Sequence, residues 1–318
     1  MIIYGDALTE LRKLPDESVH CCVTSPPYWG LRDYGIEGQL GLEPTPEEYV
    51  GKLVEIFREV KRILRKDGTL WLNLGDSYAG SSCGSNDYRP DGSSISKNDN
   101  KYQGQKTGLP IGLKPKDLVG IPWRVALALQ VDGWWLRSDI IWAKPNPMPE
   151  SVMDRPTKSH EYVFLLSKSA RYYFDQEAIR EPFNYPERKY NPDTSDHKTA
   201  HLKEQGNRST AGLHDGRTQY GNPEKGRNIW TVWTITTKPM PKIFGAEHFA
   251  TFPPEIPERC IKAGCPKDGT VLDPFFGAGT TGLVALRLGR EFIGIELNPK
   301  YCEMAKKRIF GELEEATA

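Results

Sequence analysis

A chain of 318 residues has room for one large domain or a domain carrying a sizeable insertion. Hydrophobic residues make up 38% and charged residues 26%, and no run approaches the roughly 20 apolar residues of a membrane helix, so no membrane-spanning helix is expected. Net charge is zero, which argues against a protein that coats nucleic acid. Residues 1–6 lack the basic start and apolar run of a signal peptide, so the cytoplasm is the expected compartment. The neutral mean hides a local asymmetry. Residues 186–245 hold ten Lys or Arg against six Asp or Glu, and residues 228–245 contain no acid, enough for a basic surface facing phosphates. The six cysteines (Cys21, Cys22, Cys83, Cys260, Cys265, Cys302) lack zinc-ligand spacing, so reduced core thiols and no metal are expected.

In chain order, Val19–Thr24 reads as a buried strand broken by Pro26 and Pro27. Thr45 then caps a helix with Pro46 in its first turn and Glu48 at its third position. Tyr49, Leu53, Phe57, Val60 and Leu64 recur at helical spacing, and Gly68 is the expected terminator. Residues 69–74 form the next strand. Residues 76–117 turn polar, a stretch too long to be an ordinary loop. A helix over 122–131 and strands over 139–142 and 161–166 follow. From about 180 to 245 the chain is polar again, with Trp230, Trp233, Lys238 and Lys242 either contacting a phosphate-bearing partner or, for the tryptophans, packing as a pair. Helices over 257–263, 280–288 and 299–309 alternate with strands over 270–273 and 292–295. The alternation predicts an α/β fold with a mostly parallel sheet covered on both faces.

Between the 270–273 strand and the next helix lies Asp273-Pro274-Phe275-Phe276-Gly277-Ala278-Gly279-Thr280-Thr281-Gly282. Its glycines match a dinucleotide-type turn, with Glu296 ending the following strand. Charge separates the possible ligands. An anionic pyrophosphate would be repelled by Asp273. S-adenosylmethionine instead brings an ammonium and a sulfonium with one carboxylate. Asp273 is expected to pair with the ammonium, the helix start at Thr280 and Thr281 to receive the carboxylate, and Glu296 to take the ribose hydroxyls.

Ser25-Pro26-Pro27-Tyr28 carries the other half of the chemistry. A nucleobase amino group is a poor nucleophile because its lone pair is delocalised into the ring. A site that activates it needs acceptors for both amino hydrogens and no competing donors, and consecutive prolines offer carbonyls without N–H groups. The Ser25 hydroxyl and Pro26 carbonyl can draw the nitrogen towards tetrahedral geometry while Tyr28 stacks on the ring. No cysteine nucleophile is implied. His160 beside Glu161 reads as a strand-edge histidine rather than an acid–base pair.

These two motifs, in this order, resemble the amino-methylating DNA methyltransferases, with the catalytic motif first and the cofactor motif last as in the circularly permuted beta group. The resemblance extends through Gly5-Asp6-Ala7, through the Trp142-to-Pro149 segment, Ser159-His160-Glu161 and Phe252-Pro253-Pro254-Glu255. It departs in the polar tracts after Asp76 and Glu181, where target recognition usually sits. The resemblance implies a Rossmann-like methyltransferase fold. Its catalytic part would span residues 1–179, a target-recognition region 180–245 and a cofactor-binding part 246–318. It implies catalysis by Ser25, Pro26, Pro27 and Tyr28, and a cofactor site of Asp6 (at the adenine amino group), Glu296 (ribose), and Phe252, Phe275, Gly277 and Gly279. The expected partners are duplex DNA, with its target base flipped out, and a cognate restriction endonuclease; self-association is left open. A serine-headed turn associates with cytosine N4 rather than adenine N6. RNA- or protein-glutamine-directed enzymes usually carry an Asn-headed turn with the cofactor motif first. An inactive DNA-binding module would not need both motifs intact.

Overall fold

The computed structural model describes residues 1–79, 112–182, 226–237 and 252–317. Its elements are β1 (Ile2–Tyr4), α1 (Ala7–Leu11), β2 (Val19–Thr24), α2 (Pro46–Ile63), β3 (Leu64–Leu74), α3 (Ile121–Val131) and β4 (Trp135–Ala143). They continue with β5 (His160–Ser167), β6 (Val232–Thr234), α4 (Glu255–Gly264), β7 (Thr270–Asp273), α5 (Thr280–Arg287), β8 (Glu291–Glu296) and α6 (Pro299–Thr317). The chain divides into two units: Met1–Phe174 with Thr231–Ala318, and Asp175–Trp230.

The first unit holds one eight-stranded sheet in the order β1-β8-β7-β2-β3-β5-β4-β6. The apolar run of β2 is buried at five of its six positions because the strand lies mid-sheet, parallel to both β7 and β3. β5 runs antiparallel to β3 and β4, so the sheet is mostly rather than wholly parallel. β6 was not foreseen. It adds to the outer edge of β4, where the Trp142 indole donates to the Ile235 carbonyl at 2.8 Å.

The α2 helix begins as its sequence dictates: the Thr45 hydroxyl accepts the Glu48 N–H at 3.2 Å. Tyr49, Leu53, Ile56, Phe57, Val60 and Ile63 bury its inner face. It does not run to Gly68. Leu64 turns extended and pairs with Val19, and residues 65–67 bulge outward before Thr69 rejoins β2 opposite Cys21. The helix end is satisfied without a glycine cap by groups from outside it. Ser18 N–H donates to the Ile63 carbonyl at 2.8 Å and Glu17 N–H to the Arg62 carbonyl at 3.2 Å, while the Lys168 ammonium donates to the Leu64 carbonyl at 2.6 Å and to the Arg62 carbonyl at 3.3 Å.

Neighbouring strands β7 and β2 continue in opposite directions across the sheet, β7 towards β8 and β2 towards β3. A crevice between their carboxyl ends is the expected ligand site of an open α/β sheet. Of the second unit, the described residues include a single helical turn at Glu177–Ile179 and a backbone pairing of Glu181 with Arg227. Arg227 also lies 3.7 Å over the ring of exposed Trp230. No helix among the described residues is long and apolar enough to cross a membrane.

Candidate active site

The parallel pairing of Cys22 with Leu272 brings the ends of β2 and β7 side by side. The last residue of β2, Thr24, donates through Oγ1 to Oδ1 of Asp273, the last residue of β7, at 2.6 Å. The double-proline turn and the glycine turn therefore leave the sheet together.

Asp273 is only 3% exposed. Its Oδ1 also accepts the Phe275 N–H at 3.1 Å and its Oδ2 the Thr281 hydroxyl at 2.7 Å. Burial pushes its carboxyl up to about 6, against the lowering effect of these three hydrogen bonds. Asp273, expected at a cofactor ammonium, is enclosed by Thr24 and Thr281, and its contacts clasp β2, β7 and α5 together. The Thr281 hydroxyl turns inward to Asp273, and the Thr280 hydroxyl accepts Arg308 Nη1 at 2.9 Å. The helix start they occupy follows Gly279, which makes no side-chain cap.

Gly277 and Gly279 adopt left-handed φ values of 52° and 79°, which favour glycine. The turn is pinned by Glu296, whose Oε2 accepts the Gly277 N–H at 2.7 Å and whose Oε1 accepts the Asn298 N–H at 2.7 Å. Burial raises the Glu296 carboxyl while these N–H groups lower it. Strand β1 pairs with β8, and Gly5 N–H donates to the Glu296 carbonyl at 3.0 Å. Asp6 thus stands one residue from the Glu296 backbone, exposed, with Oδ1 capping α1 through the Thr9 N–H at 2.9 Å. Phe275 is half-buried against the core, and half-buried Phe252 precedes α4.

On the other side, the Ser25 turn is held from several directions. Tyr49 of α2 donates its hydroxyl to the Pro27 carbonyl at 2.8 Å, and the Trp29 indole donates to the Glu43 carbonyl at 2.9 Å. The Tyr28 ring lies against Gly75, where an added Cβ would sit 2.4 Å from the ring. Ser25 Oγ donates to Tyr28 Oη at 3.3 Å, and Tyr28 Oη donates to Glu161 Oε2 at 2.7 Å, with Asn73 Oδ1 at 3.0 Å. Asn73 Nδ2 reaches the same carboxylate oxygen at 3.2 Å, and Lys144 Nζ pairs with Glu161 Oε1. Burial, then the charge of Glu161, hold the Tyr28 hydroxyl well above its ordinary pKa.

Asn73, Lys144, Glu161 and Tyr49 received no chemical role from the sequence. Lys144 and Glu161 stood in segments shared with the resembled family, but their meeting beneath Tyr28 is a product of the β3-β5-β4 order. His160 opens β5 and packs edge-on against Tyr162 at 5.3 Å. The tryptophans divide: Trp233 is buried, with its ring stacked on Trp71, whereas Trp230 is 58% exposed. Lys238, Lys242 and Cys83 lie outside the described residues. Cys21, Cys22, Cys260, Cys265 and Cys302 are buried free thiols. Among the described residues, no cluster of His, Cys, Asp or Glu is placed to hold a metal.

A mostly parallel sheet with a glycine turn at its switch point is the fold of S-adenosylmethionine-dependent methyltransferases, and S-adenosylmethionine is the cofactor. The model of the N6/N4 DNA methylase family matches residues 19–307, and the chain belongs to that family. It is 48% identical over 309 residues to the type II methyltransferase M.XycI of Xanthomonas campestris pv. cyanopsidis, covering 97% of this chain and 87% of that one. Among solved structures, it is similar to PvuII DNA methyltransferase (cytosine-N4-specific), with a TM-score of 0.62 at 20% identity over 97% of this chain and 85% of that one. A Thermus thermophilus protein solved with S-adenosyl-L-methionine matches at a TM-score of 0.56 and 23% identity, over 98% and 93% of the two chains.

Proposed function

We propose that this DNA methylase transfers a methyl group to the exocyclic N4 amino group of cytosine, at a specific site in duplex DNA, with the base turned out of the helix. The observation that carries the reading is the joining of the Ser25 turn to the glycine turn through Thr24 and Asp273. The target base and the methyl donor share one crevice at the end of adjacent strands.

The residues present fit the cofactor. Glu296 and Asp6 offer carboxylates at the β8 and β1 ends for ribose hydroxyls and the adenine amino group. Gly277 and Gly279, with Phe275, leave space and backbone for the methionyl part, and the uncapped start of α5 at Thr280 and Thr281 suits its carboxylate. When bound, S-adenosylmethionine supplies an electrophilic methyl group. Asp273 serves as a brace between the two turns. Phe252, half-buried ahead of α4, is assigned to the cofactor as well.

A base inside a duplex engages its amino edge in pairing, so it must be extruded before reaction. Ser25 Oγ and the Pro26 carbonyl accept the amino hydrogens, Pro27 keeps competing N–H groups away, and Tyr28 packs on the ring. Holding the nitrogen in place supplies much of the acceleration. A serine-headed turn supports cytosine, as does the fold shared with an enzyme whose name specifies cytosine N4. A cognate restriction endonuclease is the proposed partner, because M.XycI is named a type II methyltransferase.

Nucleoside chromatography of duplex DNA methylated in vitro tests the reading. N4-methylcytosine is the expected product. N6-methyladenine as sole product would replace cytosine with adenine, and label transferred only to RNA or protein would overturn the reading.

A further inference from the structure

Methyl transfer leaves the amino nitrogen with one surplus proton, and the Ser25 turn contains no carboxylate or imidazole to take it. Beneath the turn, however, runs an unbroken chain of donors. Ser25 Oγ donates to Tyr28 Oη at 3.3 Å, and Tyr28 Oη donates to Glu161 Oε2 at 2.7 Å. Each hydroxyl in that chain lies within hydrogen-bond reach of the next oxygen, and Tyr28 Oη also reaches Asn73 Oδ1 at 3.0 Å.

We propose that this chain is the proton exit of the reaction, with Glu161 as the terminal acceptor and Lys144 and Asn73 as its positioning residues. The inference rests on the reading that Ser25 faces the target amino group. The step balances as three concerted shifts. The surplus N–H bond breaks as a new O–H bond forms on Ser25 Oγ. The original Ser25 proton moves to Tyr28 Oη, and the Tyr28 proton moves to Glu161 Oε2. Tyr28 remains neutral throughout, in keeping with a buried hydroxyl. The sequence ends with a neutral Glu161 carboxylic acid, an uncharged methylated amine and hydroxyls restored at Ser25 and Tyr28.

Two features suit Glu161 to this end of the chain. Its side chain is 15% exposed and that of Lys144 is 19% exposed, so the acquired proton has a route to water. Its other oxygen is bound by the Lys144 ammonium, and Asn73 Nδ2, at 3.2 Å, fixes the oxygen that faces Tyr28. Asn73 is itself anchored to the Tyr162 carbonyl at 3.0 Å. A tyrosine needed only for stacking on a base would not require a half-buried carboxylate at its hydroxyl.

The test uses Tyr28→Phe, which keeps the ring and loses Oη, and Glu161→Gln, which keeps hydrogen-bonding atoms but cannot take a proton. Single-turnover methylation is expected to slow by about 100-fold in each, the scale of a lost proton acceptor. DNA and cofactor affinities should stay within about twofold. The double variant should be no slower than the slower single one, because both cut the same path. The wild-type rate should fall in D2O with a curved dependence on deuterium content, and both variants should lose that curvature. In the cofactor-free protein, the low-field proton resonance of the Tyr28 hydroxyl should vanish in Tyr28→Phe and move upfield in Glu161→Gln. Multiplicative losses, or losses confined to DNA affinity, would assign Glu161 a structural role and overturn the relay. Ser25→Ala separates the two ideas. If Ser25→Ala is inactive while the other variants keep the wild-type rate and isotope effect, only the relay fails. If Ser25→Ala methylates normally, the catalytic reading itself fails.

Discussion

On the β7–β8 side of the crevice, carboxylates accept bonds from backbone N–H groups: Glu296 from Gly277 and Asn298, Asp273 from Phe275. On the β2–β3–β5 side, side chain meets side chain: Ser25, Tyr28, Asn73, Glu161 and Lys144 form one network. Apart from the Thr24 and Thr281 hydroxyls on Asp273, the first side is shaped by main chain, so most of its other side chains can change provided the glycines, Glu296 and Asp273 remain. The second depends on the identity of every member. Cofactor capture should therefore degrade gradually under substitution, whereas transfer should fail at single positions.

Ser25→Ala is the sharpest way to break this contrast. It should lower the transfer rate by about 100-fold or more, as for loss of an oriented group at the reacting atoms, and leave calorimetric cofactor affinity within about twofold. A matched fall in affinity would mean that the two sides are not separable.

Asp273 belongs to both sides, and pH reports on it. Its carboxyl stands at about 6 when folded, against an ordinary value of 3.8. The native state therefore binds the proton more tightly than the unfolded chain does. Its contribution to stability is fully present below the unfolded value and is lost as pH rises through the folded one. A displacement of roughly two pH units corresponds to about 3 kcal/mol. Urea unfolding of Asp273→Asn beside the wild type should show their stability difference changing by about that amount between pH 4 and 7, with the wild type losing ground. A pH-independent difference would remove the buried acid from the account.

Glu296→Ala should weaken cofactor binding by about 10- to 100-fold, the scale of lost hydrogen bonds to a charged group. At saturating cofactor, transfer should recover most of its rate. Thr45→Ala marks the small end. Loss of the α2 cap should cost about 1 kcal/mol in chemical unfolding, with transfer unchanged.

Local signals made much of the frame legible. Thr45-Pro46 announced a helix start, the apolar run of β2 a buried strand, and Gly277 with Gly279 a turn needing left-handed φ. What escaped was long-range. Gly68 misled because groups outside the helix satisfy its end: the Glu17 and Ser18 N–H groups before it and Lys168, 104 residues beyond Leu64. The enclosure of Asp273 was not legible, because its partner Thr24 comes from another part of the chain and no local pattern reveals that a strand-end carboxylate will be enclosed. Glu161 lies 133 residues from Tyr28, and only strand order joins them. β1 and β6, at three residues each, are too short to carry a periodic signal.

The bond between Thr24 and Asp273 spans 249 residues of sequence. At a synthesis rate of about 5–20 residues per second, roughly 12–50 s pass between the two residues leaving the ribosome's decoding centre. During that interval the growing polypeptide carries the Ser25 turn, held by Tyr49, without the glycine turn. The two turns can meet only once β7 has emerged to take its place beside β2.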